Sequence, residues 1–429
     1  MNSAELTELA ELAAKRRVPA PAALPELTNF AWAVTGNVVF ALCQWGIIVA
    51  LAKAGSTALV GRFSLGIAIA TPILMFSNCD LRAVQATDAK DEFHFIEYLR
   101  LRRITTTIAL AAIFAIAILG GYGAQTGLVI AAVGIAKAVE TFSDVHYGLF
   151  QLNGRLDQTG RSMILRGVLA VTAMTIVLLS TGDVLRGSLV IAMVWTAVLC
   201  MFDVPRARRI VKSAGPPRST AHRLWTLART ALPLGLVTTA ASVNLQIPRY
   251  FVHARLGERG LGVFSALAYT TVAMTLVGDS LGQCIAPRLS RLFAGGRYAD
   301  FASQIRWLVL IGCMASGCGV AIAYLFGGQL LRLFYSPEYA ANAHVFSLLT
   351  AGAAIQFIAS ILTTAITASR NFAAQVPMYL AMLACTALGC ARWIPAWGIE
   401  GAAFAVIGGA VVRLTVAAGV VWRLCGGVS

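Results

Sequence analysis

The chain has 429 residues, of which 58% are hydrophobic and 12% are charged, and its mean hydropathy is +0.75. Soluble domains carry about twice that share of charged residues because their surfaces face water, so the composition excludes a soluble globular protein. The net charge of +15 would fit a nucleic-acid partner, but the Lys and Arg residues gather on alternate loops between apolar runs. That pattern indicates a polytopic membrane protein and excludes nucleic acid as the partner.

The first 28 residues are polar and do not show the order of charged, apolar and small residues that marks a signal peptide. Glu5, Glu8 and Glu11 precede Lys15 and Arg16, which predicts a short surface helix on the cytoplasmic side. We expect residues 1–28 to form a cytoplasmic segment.

Apolar runs of the length needed to cross a bilayer, about 20 residues, recur along the rest of the chain. They predict about twelve spans, and the even number together with the basic residues before span one places both termini in the cytoplasm. The spans are 29–53, 57–79, 104–121, 125–148, 163–181, 187–204, 229–251, 259–284, 307–327, 343–367, 373–391 and 397–422.

A basic stretch at 205–228 separates the first six spans from the last six. The predicted organisation is an N-terminal six-helix bundle (29–204), a basic cytoplasmic linker (205–228) and a C-terminal six-helix bundle (229–429). The Arg clusters at 100–103 and 205–229 are interpreted as topology determinants and as contacts to anionic lipid headgroups.

Spans two and eight share a short pattern near their starts, GRFS at 61–64 and GVFS at 262–265. Each of these spans leads into a polar segment that ends in basic residues. The shared order predicts two parallel halves related by an axis along the membrane normal, a frequent plan among transporters.

Span four carries the densest set of polar residues inside the predicted membrane: Lys137, Glu140, Asp144, Tyr147 and Gln151. Their steps of three and four place all five on one face of a helix. Ionisable groups at bilayer depth cost about 2.5–3.5 kcal/mol each, so they are functional candidates. Two compatible interpretations stand: the face lines a water-filled interior, and Lys137 and Glu140 neutralise each other across one turn.

Two arginines, Arg62 in span two and Arg413 in span twelve, lie within apolar sequence. A guanidinium presents a planar fork of donors that suits phosphate or carboxylate, so the two predict a basic cavity for an anionic cargo. The alternative is a buried ion pair with an acid on a neighbouring helix, such as Asp279 or Asp144.

Span seven offers Asn244, Gln246 and Arg249 in its outer half. Amides within a span often form hydrogen bonds between helices. Arg249 lies on the outer side, against the positive-inside trend, and is a candidate for an exit surface that meets a pyrophosphate group, although Glu258 is close enough in sequence to neutralise part of its charge.

The sequence offers little sign of metal-binding, disulfide or catalytic motifs. The nine cysteines are scattered without a CxxC pair, so neither a disulfide framework nor a metal site is predicted, and no cofactor is expected. The five histidines form no cluster, and neither a nucleophile motif nor a nucleotide-binding loop is present. The chain is predicted not to be an enzyme.

Several stretches resemble bacterial polysaccharide-biosynthesis flippases of the multidrug/oligosaccharidyl-lipid/polysaccharide exporter superfamily. The stretches are CDLRAVQATD (79–88), ETFSDVHYGLFQ (140–151), IPRYF (247–251), LGER (256–259) and APRL (286–289). The resemblance runs over most of the chain after about residue 30, and it depends on the order of these stretches rather than on one signature.

The resemblance implies an all-α polytopic membrane protein with about twelve transmembrane helices in two six-helix bundles around a central cavity that opens alternately to each side. The implied cargo is an undecaprenyl-pyrophosphate-linked oligosaccharide repeat unit. It would cross the inner membrane for exopolysaccharide, capsule or O-antigen synthesis, with a polymerase and a chain-length regulator as candidate partners. Arg62, Lys137, Arg249 and Arg413 then become cargo contacts together with the span-four acids.

Glu140 and Asp144 are in addition the candidates for carrying protons. The alternative function is a cation-coupled multidrug exporter of the same superfamily. Such exporters often couple ions through an acid on span one, and span one of this chain contains neither Asp nor Glu. Cationic drugs would also be repelled by a cavity that contains arginines.

Overall fold

The structure is a computed structural model, and it describes residues 26–86, 88, 92–211, 221–271, 285, 288–369, 371 and 374–426. Within these ranges the chain forms helices joined by short turns, with no β-strand. The predicted N-terminal surface helix lies outside the described residues. Asp279 and residues 272–284 of predicted span eight also lie outside them.

The first part of the chain forms eight helices. They are α1 (Glu26–Ala54), α2 (Thr57–Asn78), α3 (Leu81–Ala86), α4 (Phe95–Leu119), α5 (Ala124–Leu152), α6 (Leu156–Thr181), α7 (Val184–Val198) and, after a π-helical turn (Leu199–Asp203), α8 (Val204–Val211). The second part forms α9 (Ala221–Thr270), α10 (Tyr298–Phe334), α11 (Pro337–Ala340), α12 (Ala343–Ala368) and α13 (Gln375–Gly426).

Two of these helices turn back on themselves. The backbone of α9 leaves helical geometry at Gly257 (φ +68°) and that of α13 leaves it at Gly398 (φ +54°). Such left-handed backbone angles favour glycine because it has no Cβ to clash with the chain. Each helix therefore makes two passes, and the described chain crosses the bundle about twelve times, as predicted.

Nine of the described helical segments are long and apolar enough to cross a membrane. Helix α5, which carries Lys137, Glu140 and Asp144 along one face, is not one of them. It nevertheless runs beside α2, α4 and α7 through the bundle. The predicted all-α polytopic membrane fold is confirmed.

The buried apolar residues are arranged differently at the two ends of the bundle. We call the end where α1 begins the near end and the end where α1 finishes the far end. One apolar cluster occupies the far part and joins both parts of the chain, from Ile47 in α1 to Ala405 in α13. Towards the near end the core divides into separate clusters, one around Phe301 and Met378 and another around Tyr98 and Leu227.

The shared GRFS and GVFS patterns meet at the far end, where α2 crosses the arm of α9 that follows Gly257. A Cβ atom on Gly61 would collide with the backbone carbonyl of Glu258, and one on Gly262 would collide with that of Thr57. Glu258 lies four positions before Gly262, and Thr57 lies four positions before Gly61. The two contacts are therefore equivalent and are related by approximate two-fold symmetry. Small residues at such spacing allow two helix backbones to approach closely.

Candidate functional site

A cavity of about 460 Å³ lies in the near half of the bundle, between α1, α2, α3, α5 and α6. Within the described ranges, Thr238 of α9 is the lining residue that comes from the second part of the chain. The cavity occupies the level at which the apolar core divides. That division leaves polar side chains facing an open space rather than a packed core.

The polar face of α5 forms one wall of this cavity. Lys137, Glu140, Asp144, Tyr147 and Gln151 all line it, because residues at steps of three and four project from one side of a helix. The other face of α5 carries buried apolar residues, which pack into the cores around it. The helix therefore separates the polar cavity from the apolar cores packed against its other face.

The described lining carries charges of both signs. Its carboxylates are Asp80, Glu140 and Asp144, and its cations are Arg82, Lys137 and Arg166. The sequence predicted a basic cavity lined by four cations, Arg62, Lys137, Arg249 and Arg413, together with the acids Glu140 and Asp144. The described wall is instead balanced, with the charges arranged side by side.

Two of these cations are paired with acids across short distances. The Nζ atom of Lys137 lies 2.7 Å from Oε2 of Glu140, so the predicted pair across one helical turn forms. The Nη1 atom of Arg82 lies 3.4 Å from Oδ1 of Asp144, and its Nε donates to Gln151 over 3.3 Å. Both pairs lie on the cavity wall and keep roughly a quarter of each side chain exposed.

Arg166 of α6 differs from the other cations because it is 1% exposed and still lines the cavity. Its Nη1 donates to the hydroxyl of Tyr147 over 3.1 Å, and its guanidinium lies over the rings of Trp195 and Phe40 at 4.7 and 5.6 Å. Its Nε and Nη2 have no acceptor among the described residues. Buried guanidinium donors normally have partners, so Arg166 is a candidate for binding an anionic group in the cavity.

Arg102 of α4 supplies a further buried positive charge behind the wall. It is fully buried and donates to the side-chain oxygen of Asn78, which itself lines the cavity. Its charge interacts favourably with Asp80 and Asp144. Arg102 therefore offsets part of the negative charge on that side of the cavity.

Arg62 lies at the far end, away from this cavity. Its Nε lies 2.7 Å from Oε2 of Glu258 and its Nη1 donates to Gln125 over 2.8 Å. The other carboxylate oxygen of Glu258 accepts from Thr126 over 2.5 Å. The ion-pair alternative for Arg62 therefore matches the geometry, but the acid is Glu258 rather than Asp279 or Asp144.

Arg249 and Arg413 also have partners away from the cavity. Arg249 donates to Gln246 and lies 5.2 Å from the ring centre of Tyr269. Arg413 donates to Gln356 over 2.9 Å and to Thr363 over 3.2 Å. Of the six candidates from the sequence, the structure brings Lys137, Glu140 and Asp144 together on the cavity wall and places the three arginines elsewhere.

Sequence reasoning missed Arg166, Asp80 and Arg82 as lining residues. Arg166 lies about one turn inside predicted span five, where a basic residue usually reaches the membrane surface. The local signal was its position within an apolar run. Asp80 and Arg82 follow span two and were assigned to a loop, because their return toward α5 depends on α3.

Removing one partner of the Lys137–Glu140 pair should destabilise the protein more than removing both. Lys137→Met leaves a carboxylate without its cation, and we expect a loss of about 1–3 kcal/mol in unfolding free energy. Lys137→Met combined with Glu140→Gln should recover most of that loss. Thermal unfolding in detergent measures the difference, and equal melting temperatures for the single and double variants would show that the pair contributes no coupling.

No protein-family model matches the chain. Among curated proteins, it is 26% identical over 385 residues to the capsular polysaccharide biosynthesis protein CapF of Staphylococcus aureus, covering 88% of this chain and 94% of that protein. It is also 28% identical over 175 residues to the EPS I polysaccharide export inner membrane protein EpsE of Ralstonia solanacearum, covering 39% of each.

Solved structures with a similar fold are transporters. The lipid II flippase MurJ in an inward closed conformation superposes with a TM-score of 0.73 at 10% identity, covering 90% of this chain and 86% of that one. A multidrug resistance MATE family transporter of the MOP superfamily, inward-facing, gives 0.65 at 15% identity, covering 96% and 98%. The chain has the fold of MOP superfamily transporters and resembles polysaccharide biosynthesis and export proteins, so the resemblance drawn from the sequence is confirmed.

Proposed function

We propose that the protein moves a lipid-linked oligosaccharide, of the undecaprenyl-pyrophosphate-linked repeat-unit class, across a bacterial inner membrane by alternating access. The observation that carries the proposal is the cavity in the near half of the bundle, with its balanced charges and the buried Arg166. The polysaccharide roles named for both relatives support this cargo class over others.

The chemistry of the cavity suits such a headgroup in two ways. A pyrophosphate needs cationic donors, and the guanidinium of Arg166 lines the cavity with two buried nitrogens that have no acceptor among the described residues. Sugar hydroxyls both donate and accept hydrogen bonds, and the wall offers them carboxylates and amides on α2, on α5 and in the turn before α3, such as Asn78, Gln151 and Asp80.

The arrangement of the core supports alternating access. At the far end the two parts of the chain share one apolar cluster and the Gly61–Gly262 crossing, whereas towards the near end the core divides. With the near end in the cytoplasm, as the distribution of basic residues predicts, this is the arrangement expected of a state that receives cargo from the inner leaflet. Glu140 and Asp144 remain the proposed proton carriers.

Deleting the gene in its bacterium tests the cargo. We expect the surface or exported polymer to disappear, while lipid-linked repeat units accumulate with their sugars facing the cytoplasm. Accessibility of the sugars to a glycosidase or lectin in inside-out vesicles, compared with right-side-out ones, measures the orientation. Normal polymer with no accumulated intermediate contradicts the proposal.

The multidrug exporter remains the second candidate, because solved multidrug transporters share the fold and three carboxylates line the cavity. Carboxylates are suitable partners for cationic drugs. Susceptibility of the deletion strain to cationic dyes separates the two functions. Unchanged polymer together with increased dye sensitivity would favour drug export.

A further inference from the structure

A second opening lies on the opposite side of α5 from the cavity. It is a groove of about 640 Å³ at the near end, between the start of α4, the middle of α5 and the region from the π-helical turn through α8. Phe142 and His146 form its α5 wall. They project away from Glu140 and Asp144, so α5 separates the groove from the cavity.

The walls of the groove are apolar and only partly covered. Phe95, Ile96 and Leu99 form one side, and Leu199, Val204 and Val211 form the other. All six keep part of their surface accessible. Apolar surface of this kind at the edge of a membrane bundle is suited to an acyl chain, because lipid tails are as apolar as the side chains that they replace.

Two arginines lie at the mouth of the groove, Arg103 from α4 and Arg208 from α8. Both are exposed, and neither forms an ion pair with an acid in the described part of the chain. Among the residues that the structure describes, the lining contains no carboxylate. The neighbouring acid on α4, Glu97, is already held by Arg223 at 2.6 Å.

We propose that this groove binds one anionic glycerophospholipid of the cytoplasmic leaflet. The phosphate of the headgroup lies between the guanidinium groups of Arg103 and Arg208, and an acyl chain follows the apolar walls towards Phe142. Basic pockets between helices on the cytoplasmic side bind anionic headgroups in other membrane proteins. The site does not depend on the identity of the transported cargo, but it does depend on the predicted cytoplasmic location of the near end.

The chain provides a matched control for the two arginines. Arg100 on α4 and Arg209 on α8 are also exposed and belong to the same two helices, but neither lines the groove. Arg103→Ala with Arg208→Ala and Arg100→Ala with Arg209→Ala therefore remove the same charge from the same surface. The two double variants differ in whether the charge lies at the groove.

Native mass spectrometry of the full chain, released from nanodiscs of phosphatidylcholine with a small fraction of phosphatidylglycerol, counts retained lipids. We expect the wild type to retain one phosphatidylglycerol, and the Arg103/Arg208 variant to lose occupancy on the order of tenfold. The Arg100/Arg209 variant should stay close to the wild type. Equal losses in both variants would indicate a diffuse surface charge and overturn the proposal, as would a wild type that retains no phosphatidylglycerol.

A variant of the apolar wall tests the other half of the site. Leu99→Trp fills the groove without altering charge, and we expect it to release the lipid while both arginines remain. Inorganic phosphate, which lacks the acyl chain, should not displace the bound lipid. Unchanged retention in Leu99→Trp, or displacement by inorganic phosphate, would show that the ligand does not occupy the groove.

Discussion

Replacing Arg166 by methionine is expected to reduce polymer export at least tenfold while leaving the melting temperature close to that of the wild type. Export falls because the cavity loses a guanidinium with two donors that are not used within the described residues, and an anionic group would lose a charge-assisted partner. We expect a small change in stability because the cost of burying the guanidinium opposes its bond to Tyr147 and its attraction to Glu140 and Asp203.

Arg166→Lys should give an intermediate result. It keeps the charge but replaces the planar fork by a single ammonium group, which cannot bind two oxygens side by side. The control is Arg186→Met. Arg186 lies at the far end, beside an aspartate at 3.4 Å, and its side chain is largely exposed.

Export by complemented deletion strains, normalised to the amount of protein in the membrane, measures the effect of Arg166. Normal export by Arg166→Met would exclude Arg166 as a cargo contact. A large fall in melting temperature together with lost export would instead assign Arg166 a structural role, through its bond to Tyr147.

Adding a methyl group at the helix crossing is the second change with a large expected effect. The Cβ of Gly262→Ala would meet the backbone of Thr57 and Gly61, and that of Gly61→Ala would meet the backbone of Glu258. Backbone atoms cannot rotate away as a side chain can, so the two helices must separate. Overpacking of this kind costs about 1–3 kcal/mol, and occasionally more.

We therefore expect each alanine variant to lower the melting temperature and to weaken the closure at the far end. Gly317→Ala is the matched control, since Gly317 also lies within a helix and a Cβ there meets nothing within 4 Å. That variant should be stabilised by about 0.5–1 kcal/mol through the higher helix propensity of alanine. Thermal unfolding followed by tryptophan fluorescence compares the three variants. Equal melting temperatures for the Gly61→Ala, Gly262→Ala and Gly317→Ala variants would contradict the close approach of the two helices.

The polar face of α5 could be predicted from the sequence because helical periodicity is a local property. The spacing of Lys137, Glu140 and Asp144 is determined by the helix itself, and a polar face on an otherwise apolar helix must avoid lipid. The pairing of Lys137 with Glu140 could also be predicted, because residues three positions apart are neighbours on one helix.

Arg62 shows what sequence could not provide. Its partner, Glu258, is 196 positions away along the chain, so the contact depends on how closely α2 and α9 approach each other. The glycines that allow this approach were noticed as a repeat, but their contact is a consequence of packing. The same limit applies to Arg413, whose partners lie on α12 and on the other arm of α13.

The amino-acid sequence by itself determined the membrane class, the number and order of the helices and the face of α5 that turns away from lipid. These follow from hydropathy and periodicity, which act over one helix at a time. The tertiary structure decided which charges meet, namely that Arg62 joins Glu258 at the far end and that Arg166 is buried against Trp195 at the cavity. Those contacts join residues distant in the chain, and only helix packing brings such residues within a few ångströms of each other.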